Sequence, residues 1–189
     1  MSQSPSTLRQ LVQRAGPLDC KRAARYVEEV AREVADLHRT GRLHPDIRPE
    51  TILLDEAGTA RLDLVRSRSQ MPIRDVGLES ENVEEIADYL APDRALNSVT
   101  ADCRADTYSL GCVLYFMLVG RAPFPTGTIS ERLLMHQVGT PDALRTVRPE
   151  VPLTLAQMCE KMMTKKPADR YQSADELLNA IAFWRKSVC

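Results

Sequence analysis

The segment 102–120 constrains the fold more than any other part of this sequence. It reads DCRADTYSLGCVLYFMLVG, and over 110–119 it is apolar on most faces. A helix that is hydrophobic all round is buried on all sides, so other elements must surround it. Its longest apolar run, 108–119, is shorter than the roughly 20 residues that span a membrane. We therefore expect a globular domain built around this helix, with no membrane segment.

Length, charge and cysteine content narrow the class of protein. The chain has 189 residues, which is the size of one domain. Its 25 Lys and Arg residues against 26 Asp and Glu residues give a net charge of −1, which disfavours a nucleic-acid partner. The five cysteines are odd in number and widely spread, and no two of them form a CxxC pair. This pattern predicts reduced thiols, a cytoplasmic location and no zinc site. The residues are Cys20, Cys103, Cys112, Cys159 and Cys189.

Hydrophobic periodicity predicts a mainly α fold with one small β-hairpin. The hairpin is expected from the short apolar runs 52–54 and 60–62, which flank a turn that contains glycine. The stretch 65–89 is charged, shows no clear period and is expected to be irregular. Besides the central segment, helical spacing and capping residues predict helices at Thr7–Ala15, Lys21–Thr40, Ser130–Val138, Leu153–Lys165 and Ser173–Trp184.

Four stretches carry recognisable motifs in a fixed order. They read LHRTGRLHPDIRPETILLD at 37–55, ADYLAPDRAL at 87–96, RADTYSLGCVLYFMLVGRAPFP at 104–125 and KKPADRYQSADEL at 165–177. In that order they resemble the catalytic loop, the A-P-E segment, the central helix and the closing P-x-x-R element of eukaryotic-type Ser/Thr protein kinases, in their bacterial branch.

This resemblance covers about residues 8–184 and implies the large helical C-terminal lobe of that family. The family's N-terminal lobe holds ATP with a glycine-rich loop and a strand lysine. No G-x-G-x-x-G pattern occurs in the sequence, and no lysine or arginine precedes Thr7. We therefore expect a polar arm over 1–6 and a protein-kinase-like C-lobe over 7–189, with the N-lobe absent.

Three residues of the first stretch match the family's catalytic positions. The resemblance places Asp46 at the aspartate that accepts the substrate hydroxyl proton, and Arg48 at the lysine that contacts the transferring phosphate. Arginine keeps that charge but changes its shape and reach. Thr51 stands where the family has an asparagine that binds the second magnesium ion. Threonine is shorter and lacks the amide oxygen.

The family's magnesium-binding D-F-G segment has one candidate here, RLDLVRS at 61–67. In one alignment Asp63 is the metal aspartate, and Leu64 and Val65 replace the Phe and Gly. In the ungapped alignment Leu64 itself occupies the aspartate position. The motif is incomplete in both alignments, so the sequence assigns no metal site.

Three further residues match positions that hold the family's lobe together. The resemblance pairs Asp93 with Arg170, and we expect this ion pair to be largely buried. Asp106 matches the aspartate that accepts hydrogen bonds from backbone amides of the catalytic loop. Because Pro45 has no N–H, one of the two bonds usual in the family should be lost.

These substitutions favour a degenerate kinase-like domain, a pseudokinase-type binding or regulatory module in signalling that needs no cofactor. The alternative is a Ser/Thr protein kinase that transfers the γ-phosphate of ATP, with Mg²⁺, to protein Ser/Thr as part of a longer or two-chain protein. The expected partner is a protein or a second copy of the chain, not nucleic acid or membrane. We expect it to bind the face that would pack an N-lobe, which includes the hairpin 52–62 and its exposed apolar surface.

Overall fold

A computed structural model describes residues 6–63, 83–96 and 101–187. In these ranges, helices pack around one central helix and beside a small antiparallel sheet. The helices are α1 (Leu8–Ala15), α2 (Cys20–Arg39), α3 (Val83–Ala87), α4 (Pro92–Leu96), α5 (Cys103–Val119), α6 (Ile129–Val138), α7 (Leu144–Val147), α8 (Leu153–Met162) and α9 (Ala174–Ser187). The strands are β1 (Ser6–Thr7), β2 (Ile52–Leu54) and β3 (Ala60–Leu62).

Helix α5 is the buried centre that its sequence predicts. Every residue from 105 to 118 is buried, and α2, α4, α7, α8 and α9 pack around it. Asp102 caps its first turn, and Gly120 ends it in the left-handed conformation at φ 86°. Gly111 lets α8 approach closely, since a Cβ there would lie 2.7 Å from Met162 Cβ. The mainly helical fold class is therefore confirmed.

The first two helices begin at the capping residues that the sequence indicates. The Thr7 hydroxyl accepts from the Gln10 backbone N–H, and the Gln10 side chain accepts from the Thr7 N–H. Asp19 caps α2 by accepting from the Arg22 N–H. One face of α2 is buried against α5 and α9, which fixes the end of α2 just before the catalytic loop.

The predicted hairpin is present, and it carries a third strand. Leu53 of β2 pairs with Arg61 of β3 and also with Thr7 of β1. The sequence places residue 6 in a polar arm, whereas Ser6 pairs with Leu54 in the sheet. A two-residue strand is too short to show alternation, and only the neighbouring hairpin provides its hydrogen-bonding edge.

Two expectations about local structure are wrong. The stretch 65–89 is expected to be irregular, but α3 forms in its described part, 83–89, and packs against α6, while 65–82 lies outside the described residues. The hairpin was expected to expose apolar surface, yet Ile52, Leu54 and Leu62 are at most 9% exposed because α2 and β1 cover them. The large apolar side chains that are exposed in the described residues lie instead on α4 and α6–α9: Leu96, Leu134, Met135, Val138, Val147, Leu153 and Phe183.

Candidate functional site at the kinase-like catalytic loop

The catalytic loop is the segment 42–51, which joins α2 to β2. The Asp46 carboxylate accepts a hydrogen bond from the Arg48 Nε at 2.8 Å. The Asp46 side chain is 23% exposed, whereas that of Arg48 is 7% exposed. Asp46 therefore still faces solvent, while Arg48 is turned into the protein.

Arg48 lies within a cluster of carboxylates. Its Nη1 atom donates to Glu85 of α3 and lies 3.6 Å from the Glu50 Oε2. Glu50 is also paired with Arg9 of α1. Together with Asp46, this cluster joins two guanidinium groups and three carboxylates, so the charge of Arg48 is neutralised by the protein itself.

Thr51 is sealed inside the loop at 1% exposure. Its hydroxyl lies 2.8 Å from the Asp46 carbonyl oxygen and 3.0 Å from the Arg48 carbonyl oxygen, either of which can accept its proton. The same hydroxyl accepts from the Arg48 backbone N–H at 3.1 Å. A hydroxyl has one proton to donate, and the loop backbone takes both that proton and a lone pair. One lone pair remains on the hydroxyl oxygen, but the side chain is buried and is held by the loop backbone, so its oxygen is not accessible from solvent.

Asp63 follows β3 directly and lies beside Thr51. Its backbone N–H donates to the Thr51 carbonyl oxygen at 2.8 Å. The fold thus brings together the two residues that the sequence places at the family's magnesium positions. Leu64 and Val65, which decide between the two alignments, lie outside the described residues.

Asp63 supplies the one carboxylate among the two residues that the sequence places at the family's magnesium positions. Within 6–63, 83–96 and 101–187, no group of three or more His, Cys, Asp or Glu side chains is arranged to hold a metal ion. The second-metal position is a buried, internally bonded threonine. Thr51 therefore does not fit the position at which the family has an asparagine bound to the second magnesium ion.

Asp106 is the fully buried anchor beneath the loop. Its carboxylate accepts from the His44 backbone N–H at 2.9 Å and lies 2.7 Å from the His38 Nε2. The bond that Pro45 lacks is replaced by Arg94 of α4, whose Nη2 donates to the Asp106 Oδ1 at 3.0 Å. The sequence predicts the loss at Pro45 but misses this replacement.

The ion pair between Asp93 and Arg170 is present. The Arg170 Nη2 lies 2.7 Å from the Asp93 Oδ1, and the two side chains are 0% and 18% exposed. The same guanidinium donates to the carbonyl oxygens of Arg104, Thr164 and Lys165. Arg170 thus joins α4, the start of α5 and the segment after α8.

Buried histidines add neutral polar groups rather than ligands. Burial lowers the pKa of His44, whose ring accepts from the Asp46 N–H at 3.3 Å. Burial, helped by the charge of Lys165, lowers the pKa of His136 to about 3. His136 packs against Phe124, with 4.9 Å between the ring centroids.

Comparison with known proteins identifies the family. The protein kinase domain model matches residues 2–182, so the chain belongs to the protein kinase family. It is 32% identical over 173 residues to a probable serine/threonine-protein kinase PknB of Bifidobacterium longum, and 30% identical over 175 residues to the serine/threonine-protein kinase PrkC of Bacillus subtilis. Both matches cover 90% of this chain.

The relatives are much longer proteins. These two matches cover 25% and 26% of the relatives, so the chain spans about a quarter of the length of the curated kinases that it matches. A probable serine/threonine-protein kinase of Clostridium acetobutylicum is 27% identical over 93% of the chain, and this match likewise covers only 26% of the relative. None of the helices in the described parts of the chain is long and apolar enough to cross a membrane.

Sequence reasoning missed four residues that define the loop's surroundings. They lie up to about 85 positions apart in the sequence, and only the fold brings them to the loop. The residues are Arg9, Glu50, Glu85 and Arg94. A signal for Arg94 exists in the sequence, since it follows the A-P-D triplet and Pro45 leaves an acceptor on Asp106 without its donor. No local pattern indicates the other three.

Proposed function

We propose that this kinase-family domain does not transfer phosphate and acts as a pseudokinase-type binding or regulatory module in signalling. The observation that carries the proposal is the state of Thr51. Its hydroxyl is buried and bonded to the backbone of Asp46 and Arg48, so it cannot act as a magnesium ligand without disrupting the loop.

The environment of Arg48 supports the same proposal. Phosphoryl transfer depends on cations that are positioned to neutralise the charge of the phosphoryl group. Here the cation at that position is 7% exposed and paired with Asp46 and Glu85. Moving it to a phosphate would leave these carboxylates without their partner, which opposes binding.

The runner-up is a Ser/Thr protein kinase that uses ATP and Mg²⁺ as part of a longer or two-chain protein. Two observations favour it. Asp46 is present and 23% exposed, as a general base must be. The relatives carry serine/threonine-protein kinase names and are about four times longer than this chain, so a longer protein could supply further ATP contacts.

Nucleotide binding by this chain would favour the kinase over the module. A ligand at 100 times its Kd stabilises the native state by about 2.7 kcal/mol, which is a readily measured rise in Tm for a domain of this size. We expect no rise in the Tm of the chain with millimolar Mg-ATP, and no transfer of labelled phosphate to Ser/Thr peptides. A serine/threonine kinase relative serves as the positive control. A clear rise that Asp63→Ala abolishes would replace the module with the kinase.

We also propose a cytoplasmic location and a protein partner or a second copy bound at the face formed by β1–β3 and α1. The cysteines at 20, 103, 112 and 159 are free thiols, as in reducing compartments.

Since the hairpin buries its apolar residues, contacts of a partner with the face formed by β1–β3 and α1 must be largely polar. Arg61, with a side chain 60% exposed, would contribute to them. Association measured by ultracentrifugation should weaken with added salt, and a monomer at every concentration would contradict self-association.

A further inference from the structure

The carboxylate of Asp106 needs donors that the catalytic loop does not fully supply. The side chain is 0% exposed, and a buried carboxylate without hydrogen bonds is strongly unfavourable. The His44 N–H donates to the Oδ2 atom, which also lies 2.7 Å from the His38 Nε2. The next residue, Pro45, has no N–H to offer to the Oδ1 atom.

Arg94 of α4, which follows Pro45 by 49 residues in the chain, reaches this position. Its Nη2 donates to the Asp106 Oδ1 at 3.0 Å. Its Nη1 donates to the carbonyl oxygen of His44 at 2.8 Å and approaches that of Pro45 at 3.4 Å. The Arg94 side chain is 11% exposed, so these contacts are largely shielded from water.

We propose that Arg94 is the positioning residue that fixes the catalytic loop in this protein, in place of the backbone amide that Pro45 removes. One guanidinium binds both the buried anchor and the loop carbonyls, so it holds the turn at 44–46 against α5. The planar fork of arginine is required, because a lysine ammonium cannot span the carboxylate and the carbonyls with fixed geometry.

This inference is independent of whether the domain transfers phosphate. The loop conformation that Arg94 holds is the same one that carries Asp46 and Arg48. The guanidinium comes from the protein's own α4, so this contact itself needs no bound ligand or partner. The order of the catalytic loop should then depend on Arg94 when residue 45 is proline, and less so when residue 45 has an N–H.

A double-mutant cycle with amide hydrogen exchange tests the proposal. Arg94→Ala should speed exchange of the His44 amide at least tenfold, while amides in the middle of α9 change much less. Pro45→Ala restores an N–H, so it should slow the His44 amide again in the Arg94→Ala background. Arg94→Lys should behave like Arg94→Ala, because charge alone is not sufficient.

Arg104→Ala is the control, since it removes another arginine of this region, at the start of α5, whose guanidinium pairs with Asp102 instead of Asp106. It should leave the His44 amide unchanged. Equal acceleration in all helices after Arg94→Ala, or strictly additive effects in the double variant, would overturn the proposal. If Arg94→Ala does not fold, Arg94→Lys with and without Pro45→Ala provides the same comparison.

Discussion

Two regions of this molecule have diverged from the family to different extents. The structural frame consists of α5, Asp106 and the pair Asp93–Arg170. It keeps the ion pair and the His44 contact that the family resemblance implies, with Asp93 in place of the family's glutamate and Arg94 in place of the amide that Pro45 lacks. The catalytic positions Arg48 and Thr51 carry other residue types than the family's lysine and asparagine. Arg48 pairs with Glu85, and the Thr51 hydroxyl is hydrogen-bonded to the loop backbone. A frame residue contributes to folding whatever the domain does, whereas a catalytic residue is retained only while its chemistry is used. This contrast is the one that the proposed binding or regulatory module predicts.

The largest expected effect lies in the frame. Removing one partner of a buried ion pair costs about 3–5 kcal/mol, because the other charge is left unpaired. Arg170→Ala should lower the free energy of unfolding by that order and also leave three carbonyl oxygens without their donor. The control is Arg39→Ala, which removes an exposed pair with Asp175 and should cost at most about 1 kcal/mol. Equal Tm values for the two variants would contradict a structural role for Arg170.

The second prediction concerns Thr51, which stands at a catalytic position of the family and should stabilise the fold. Thr51→Val removes the hydroxyl that accepts from the buried Arg48 N–H. An unsatisfied buried donor costs about 1–3 kcal/mol, which urea unfolding can measure. The control is Thr40→Val at the exposed end of α2, where the hydroxyl donates to Leu37 O at 2.7 Å. We expect a small loss there. If the free energy of unfolding of Thr51→Val equals that of the parent chain, the Thr51 hydroxyl does not stabilise the fold.

Acid should destabilise the protein through its buried histidines. The pKa of His136 falls from about 6.5 in the unfolded chain to about 3 in the folded one, so below pH 6.5 the unfolded state binds more protons. Stability is complete above pH 6.5 and is lost as pH falls toward 3, by up to about 1.4 kcal/mol per pH unit for each such histidine.

The pH effect of His136 is isolated by comparison with His136→Gln. Urea midpoints at pH 7 and pH 5 should differ less for this variant than for the parent chain, because glutamine does not titrate. The lowered pKa of His44 leaves some of the decline in the variant. An identical decline in both proteins would show that His136 contributes nothing to the acid sensitivity.

The smallest expected effect concerns Asp46. If the catalytic positions have lost their chemistry, Asp46→Asn should leave phosphate transfer at the level of the parent chain, which is background. The change in stability should stay below about 1 kcal/mol, since the carboxylate is 23% exposed and its bond to Arg48 is partly solvated. A transfer rate that falls on this substitution would show that Asp46 still acts as a base.

The candidate site was predictable where it depends on single positions along the chain. Asp46, Arg48, Thr51 and Asp63 follow from the order of motifs around the loop and hairpin. The structure then shows that Arg48 is neutralised and Thr51 is sealed. These states depend on side chains of other elements and on loop hydrogen bonds, which residue identity does not encode locally.

The sequence by itself determined the helical class, the central helix, the hairpin and the family, because periodicity, caps and motif order are properties of consecutive residues. It also determined that Pro45 removes a donor, since proline has no N–H anywhere. Only the tertiary structure decided that Arg94 replaces that donor, that Glu85 pairs with Arg48, and that Ser6 joins the sheet. These contacts join residues distant in sequence, and their formation depends on packing that brings the elements within hydrogen-bonding distance.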